Sequence, residues 1–371
     1  MQLDIAIGSN LRKSPYYEAT IRAGVRSFSV YNHMLIPAHF GDPEGEYRRL
    51  MEGVAMWDVA AQRQVELNGP DAALLAQYLT PRNLMGTKLG QGRYVPICDY
   101  DGHLINDPVL LKLSDTRFWL SVADSDIHLF AQAIAREKGW NVKVFEPDVS
   151  PLAIQGPKAT DLVAQMFGDW IRELKYFWFR ETELDGIPMV LARSGWSKQG
   201  GFELYLTDAS KGEALWDKVA EAGRAFGIGP GAPNDIERIE SGLVSYGSDM
   251  RLQVTPADPF EMGLGALVDL DGGHDFVGRA ALVAKAKTPP ARRRVGLWVE
   301  GRPEAAGHPV ALMHGGKAVG VMSDLAYSPR LGRTIGMALL ASDIPLGAEG
   351  LTAALPSGAV AVTPTELPFS G

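Results

Sequence analysis

One cysteine, Cys98, occurs in 371 residues. A single thiol forms no intrachain disulfide and no cysteine-based zinc site, so a reducing compartment is the expectation. The seven histidines show no H-x-x-x-H or H-x-x-E-H spacing, which disfavours a zinc hydrolase. G-x-S-x-G and a P-loop are also missing. No apolar run approaches the ~18 residues of a membrane span. The opening MQLDIAIGSNLRKSPYY lacks the basic-then-apolar order of a signal peptide. Basic charge is in deficit, 36 Lys and Arg against 44 Asp and Glu, giving a net charge of -8. That balance argues against a nucleic-acid partner while leaving room for a local basic pocket. A cytoplasmic enzyme with no membrane partner is the expectation. Cys98 reads as a small buried residue.

What is present is a mixture of periods. Arg63–Gly69, Arg117–Ala123, Met189–Gly195 and Phe202–Leu206 alternate with period two and read as strands. Leu215, Val219, Ala222 and Phe226 form a helical stripe in 209–226. Ile236, Ile239 and Leu243 do the same in 234–246, with Asn234 or Asp235 as N-cap. Shorter helices are expected over 70–79 and 125–138, with Pro70 and Ser125 at their starts. Such mixing over residues 1–284 indicates an α+β class. Residues 285–294, KAKTPPARRR, are basic and proline-bearing and read as a linker. The short alternating pieces that follow, such as RRVGLWVEG and HPVALMHGGKAVG, suggest a small all-β domain over 295–371. Gly227-x-Gly229-x-Gly231 lies between helices, so it is a poor dinucleotide fingerprint.

Three constellations stand out as candidates for chemistry. In GHLINDPVLLK, Asp107 stands at the mouth of a strand, although an Asp in N-D-P commonly only forms the turn. In ARSGWSKQGGFELYL a strand enters a glycine-rich turn and returns. Phe202, Leu204 and Leu206 then share the buried face, and Glu203 and Tyr205 the other. A carboxylate beside an aromatic could hold a flat heterocycle; an exposed face on an edge strand is the plainer reading of the same pair. In PNDIERIESGLVSYGSDM, Arg238 and Glu240 lie off the apolar stripe, as a solvated face or as groups reaching a ligand.

These blocks, with SVYNHMLIP, MWDVAAQRQVELNGPDA, LAIQGPK, PFEMGLGALV and YSPRLGRTIGMALL, occur in an order that resembles the glycine-cleavage T-protein (aminomethyltransferase) family. Within it they look most like the branch of tetrahydrofolate-dependent dimethylsulfoniopropionate demethylases. The resemblance implies two α+β subdomains around a folate channel, closed by a C-terminal β-barrel-like domain. It places the pterin-binding glutamate on Glu203 and its partner aromatic on Tyr205. The catalytic aspartate falls on Asp107, with Asn106 where the T-protein has a second Asp. Tyr94, Trp196 and Tyr205 would stack on the cofactor, and Arg238 would meet a folate carboxylate. The implied reaction moves a methyl from a small donor, dimethylsulfoniopropionate or a related onium, N-methyl or O-methyl compound, to N5 of tetrahydrofolate. A cationic donor would lie over Tyr31, Trp178 or Trp196, with His33 or Lys198 meeting a substrate carboxylate. Trp178 also reads as part of a core strand, KYFWF. Two alternatives stay open: an aminomethyltransferase acting with a lipoyl carrier protein, which Trp196 and Asn106 count against, and a non-catalytic folate-dependent regulator. Neither a lipoyl carrier nor a metal is expected; homodimerisation is left open.

Overall fold

The structure, a computed structural model, describes residues 8–369; the first seven residues, on which the signal-peptide reading partly rests, lie outside them. Two sheets form the central part. One has five antiparallel strands in the order Lys143–Phe145, Gln64–Asn68, Arg117–Ser121, Val109–Ser114, Gly92–Tyr94. The other has six, in the order Phe179–Leu184, Ile187–Ala192, Gly201–Leu206, Ser150–Gln155, Val54–Asp58, Ile228–Gly231, and only the last pair is parallel.

Strand alternation turns these sheets into four layers. In the five-stranded sheet Val65, Leu67, Leu110, Phe118 and Leu120 pack under the helices Ala72–Leu79 and Ile127–Glu137. In the six-stranded sheet Leu152, Ile154, Phe202, Leu204 and Leu206 pack under Ala159–Phe167 and Gly212–Ala222. The opposite faces meet each other. Leu111 and Trp119 from the first sheet share one cluster with Phe179, Val190, Ala192 and Tyr205 from the second. Each such side chain contributes roughly 1.5–3 kcal/mol on leaving water. Glu203 and Tyr205 therefore lie on an inner face of a central strand, which corrects the exposed-edge alternative.

The third body is a closed barrel of Arg292–Val299, Arg333–Ala341, Lys317–Ser328, Val310–His314, Leu351–Leu355 and Gly358–Thr365. Val295, Leu297, Leu312 and Leu340 fill its interior. The basic 285–294 run contains the end of the helix Arg279–Lys285 and the beginning of the first barrel strand. Arg292 grips Glu261 through Nε and Nη2 at 2.7 and 2.9 Å.

Helix boundaries are tighter than the stripes suggest. The 209–226 stripe holds a helix only over Gly212–Ala222, flanked by single 3-10 turns and closed beyond them by the left-handed Gly227. The expected 234–246 helix is Asp235–Ser241, capped by Asn234 and stopped at Gly242, also left-handed. The 70–79 and 125–138 helices begin at Ala72 and Ile127, after Asp71 and Asp126. Segment KYFWF is not one strand: a turn holds Phe177 at φ 62, and the strand starts at Phe179.

The short Asp235–Ser241 helix ties the barrel to the first part of the chain, and its charges Glu237, Arg238 and Glu240 are buried. Arg238 is 0 % exposed and donates to Asp249 at 2.9 Å, Asp324 at 2.8 Å and the Leu243 carbonyl at 3.2 Å. Glu240 accepts from Tyr47, Ser328 and Arg330. A bulge in the barrel strand between Met322 and Asp324 brings Ser323 and Asp324 to this cluster, and Ser323 donates to Asp249 at 2.8 Å. Removing one partner of such a buried ionic network strands the others. Arg238→Ala is therefore expected to lower unfolding free energy by about 3–5 kcal/mol, measured by urea titration. A loss below 1 kcal/mol would show that the cluster is not the tie.

Candidate active site

Glu203 is held by what surrounds the glycine-rich turn. Gln155, 0 % exposed, lies under it: its Nε2 donates to the carbonyls of Ser194 and Phe202, and its Oε1 accepts from Ser197. A Cβ at Gly195 would stand 2.0 Å from that amide, and one at Gly201 2.6 Å, so the chain closes around Gln155 only with glycine there. The turn is clamped from outside by buried Glu237, which accepts from the Lys198 N–H at 2.9 Å and from Gln199 at 3.2 Å.

This arrangement delivers Ser194 to Glu203. Oε2 of Glu203 accepts the Ser194 hydroxyl and, at 3.1 Å, the Tyr205 hydroxyl, while Oε1 has no hydrogen bond among the described residues. Glu203 is 6 % exposed, and burial pushes its pKa above the usual carboxylate range against the two hydroxyls that lower it. Tyr205 is 1 % exposed, with its ring 6.3 Å from Trp119. It has no open face for stacking and meets Glu203 through its hydroxyl, which corrects the stacking expectation. Trp196 remains half-buried, its Nε1 3.4 Å from the Val244 carbonyl and Arg238 5.8 Å from its ring centre. Arg238 itself is sealed and paired with protein carboxylates, so it cannot receive a folate carboxylate as the resemblance implied. It supports the tryptophan instead.

Asp107 belongs to the other sheet's side of the seam: it stands two residues before Val109, which pairs with Tyr94 and packs against the inter-sheet cluster. The turn-forming duty falls on Asn106, whose amide holds the Ala123 carbonyl and the Ser125 hydroxyl while its oxygen takes the N–H groups of Asp107 and Ala123. That releases Asp107, which accepts the Tyr94 hydroxyl at 2.9 Å. Burial, with the nearby Asp249 charge, pushes its pKa up to about 7 despite the Tyr94 bond.

Among the other expected residues, Tyr31 senses the Asp107 charge, and His33 lines a cavity of about 580 Å³ on that side. Trp178 sits in the turn that bridges to Gln91, and Lys198 on the Glu237-clamped loop; neither lines that cavity. Ser194, Gln155, Glu237 and Asp249 were not singled out from the sequence. Only their seats in the LAIQGPK, RSGWSKQGG, NDIERIES and YGSDM blocks could have pointed to them.

Residues 16–272 match the GCVT N-terminal domain model, and 292–370 match the glycine cleavage T-protein C-terminal barrel domain. The chain belongs to the glycine cleavage T-protein family. Among members of that family, the dimethylsulfoniopropionate demethylase of Ruegeria pomeroyi is 39% identical over 356 residues, covering 96% of each chain. The aminomethyltransferase of Saccharopolyspora erythraea is 29% identical over 97% of this chain and 98% of its own. The crystal structure of glycine cleavage system aminomethyltransferase T from Bartonella henselae superposes with a TM-score of 0.84 at 25% identity, covering 97% of this chain and 98% of that one. The α+β fold with its terminal barrel is the T-protein fold, and the protein is an enzyme of the transferase class.

The Asp107 pKa has a consequence for stability. An ordinary unfolded Asp ionises near 3.8, the folded one near 7. Between these values the folded state binds more protons, so stability falls as pH rises through the window and the penalty persists above it. Asp107→Asn removes the penalty. Its melting temperature is expected to exceed the parent's at pH 8, by roughly 1–3 kcal/mol of added stability, and to match it near pH 4. Equal gains at both pH values would contradict a buried ionising Asp107.

Proposed function

We propose that this enzyme transfers an intact methyl group from a small methylated onium compound to N5 of tetrahydrofolate, giving 5-methyltetrahydrofolate. The observation that carries the reading is a pair of carboxylates, Glu203 buried and Asp107 half-buried, of which Glu203 keeps Oε1 free. A pteridine offers a ring N–H and an exocyclic amine along one edge, a match for a carboxylate with an oxygen to spare. Ser194 and Tyr205 fix the orientation of that carboxylate, and half-buried Trp196, two residues beyond Ser194, offers a ring face. The likeness to the Ruegeria demethylase supports methyl rather than methylene transfer, as does Asn106, wholly occupied in the turn.

Tetrahydrofolate supplies the nucleophilic nitrogen; the protein's work is placement. A sulfonium leaves readily as the neutral sulfide, taking the bond's electron pair, so the donor needs no strong acid. The gain comes from holding donor and acceptor in line. Asp107, as a carboxylate, attracts the cationic donor and takes up the proton that the nitrogen loses on methylation, while Tyr94 holds its other oxygen in place. Of the expected donor contacts, Tyr31 and His33 lie on the Asp107 side. A cytoplasmic setting without a lipoyl carrier fits this chemistry, and among the described residues no helix is long and apolar enough to cross a membrane.

The test is product identity. Incubation with tetrahydrofolate and dimethylsulfoniopropionate is expected to yield 5-methyltetrahydrofolate and methylmercaptopropionate. Formation of methylenetetrahydrofolate from an aminomethylated carrier would instead establish the aminomethyltransferase reading. Binding without turnover of any methylated donor would establish a regulator. Because kcat/KM follows groups of the free enzyme, it should rise with pH through about 7, where Asp107 ionises. Asp107→Asn should abolish that rise and lower kcat by roughly 10²–10⁴-fold.

A further inference from the structure

The cavity of about 580 Å³ beside Asp107 has a polarity that the pteridine does not explain. Ile127, Phe130 and Tyr246 supply apolar walls, and its charged lining groups are Arg251, Asp124 and Asp126. Asp107 stands behind its lining rather than in it: the ring of Tyr246, which lines the cavity, feels the Asp107 charge. Its two acids differ in availability. Asp124 is used up, with Oδ1 accepting the Asn32 N–H at 2.7 Å and Oδ2 the Arg251 Nη2 at 2.8 Å. Asp126 is exposed and screened by water. Arg251 has one hydrogen bond for five N–H donors; its Nε and Nη1 have no partner among the described residues.

Arg251 is also pre-positioned. The loop 245–255 is cross-braced by bridges between Tyr246 and Met250 and between Arg251 and Thr255. The N–H groups of Asp249 and Thr255 bond back to the Ser245 and Arg251 carbonyls at 2.9 Å. The Asp124 contact then fixes the guanidinium at the cavity wall. A planar cation with free donors, held on a rigid loop in a cavity whose Tyr246 wall, with Tyr31, feels both Arg251 and Asp107, is a receptor for a molecule with opposite charges at its two ends.

Resting on the methyl-transfer reading above, we propose that Arg251 anchors a carboxylate of the methyl donor, so that the enzyme selects zwitterionic onium carboxylates over simple onium ions. The cationic methyl centre then lies toward Asp107 and the carboxylate toward Arg251. Because Arg251 is part-exposed, its contribution to selectivity is about tenfold to fiftyfold.

The experiment compares dimethylsulfoniopropionate with trimethylsulfonium, which carries the same leaving chemistry without the carboxylate. The ratio of their kcat/KM values is measured for the wild type, Arg251→Gln and Arg251→Lys, together with the Kd for tetrahydrofolate. The inference expects the ratio to fall at least tenfold in Arg251→Gln, mainly through KM, and to recover in part in Arg251→Lys. It is overturned if the ratio is unchanged, as a purely structural loop residue would give, or if tetrahydrofolate affinity falls in its place, which would assign Arg251 to the folate tail. Should the wild type demethylate neither compound, the methyl-transfer reading fails on its own account. Calorimetric binding of dimethylsulfoniopropionate to wild type and Arg251→Gln then decides the anchor: weaker binding by the variant upholds it, equal binding or none removes it.

Discussion

Two carboxylates largely withheld from water, Glu203 buried and Asp107 half-buried, are the constraint around which this molecule is arranged. A buried carboxylate is costly unless hydrogen bonds or charges meet it, and an ordinary core would exclude one. Here Glu203 receives two hydroxyls on one oxygen and Asp107 one phenol, too little to return either to an ordinary acidity. By contrast, Glu66 on the same seam is met by Arg117, Trp119 and Asn68, and its pKa is lowered. The protein can satisfy a seam carboxylate fully and does so at Glu66. At the other two it leaves capacity unspent, as the proposed binding and proton-handling roles require.

The rest of the fold keeps that seam in register. Helices cover the outer faces of both sheets, leaving the inner faces to meet. The third body does more than close the end. Its bulge carries Ser323 and Asp324 to Arg238 and Asp249, and Asp249 in turn raises the Asp107 pKa. Barrel, helix and Asp107 are thus coupled through one ionic cluster, with Trp196 resting above its arginine. Precise placement, the main source of rate in a displacement between two bound reactants, follows from rigid elements rather than from mobile loops.

Periodicity made the layers legible. The strands around Glu203, Val65 and Phe118 are where alternation puts them, and the β-rich tail is the barrel. What alternation could not reveal is that the second face of Phe202–Leu206 is also buried, because a sheet-on-sheet contact depends on strands distant in the chain. The same limit hid Arg238: a charge off the apolar stripe is usually solvated, and nothing local shows that Asp249 and Asp324 will close over it. Asp107 and Glu203 stood out through the resemblance rather than through spacing. Gln155, Ser194 and Arg251 matter only for what folds against them, so the sequence carried little sign of them.

The central claim is that Glu203 grips a reduced pteridine along its amino–oxo edge. Its most direct test is calorimetric titration of tetrahydrofolate into the wild type and Glu203→Gln, an isosteric change that keeps the Ser194 and Tyr205 hydroxyls supplied with an acceptor. Loss of the charged acceptor is worth roughly 1.5–3 kcal/mol, so the account predicts affinity about 10–100-fold weaker in the variant. Equal affinity in the two proteins, or no binding by the wild type, would contradict it.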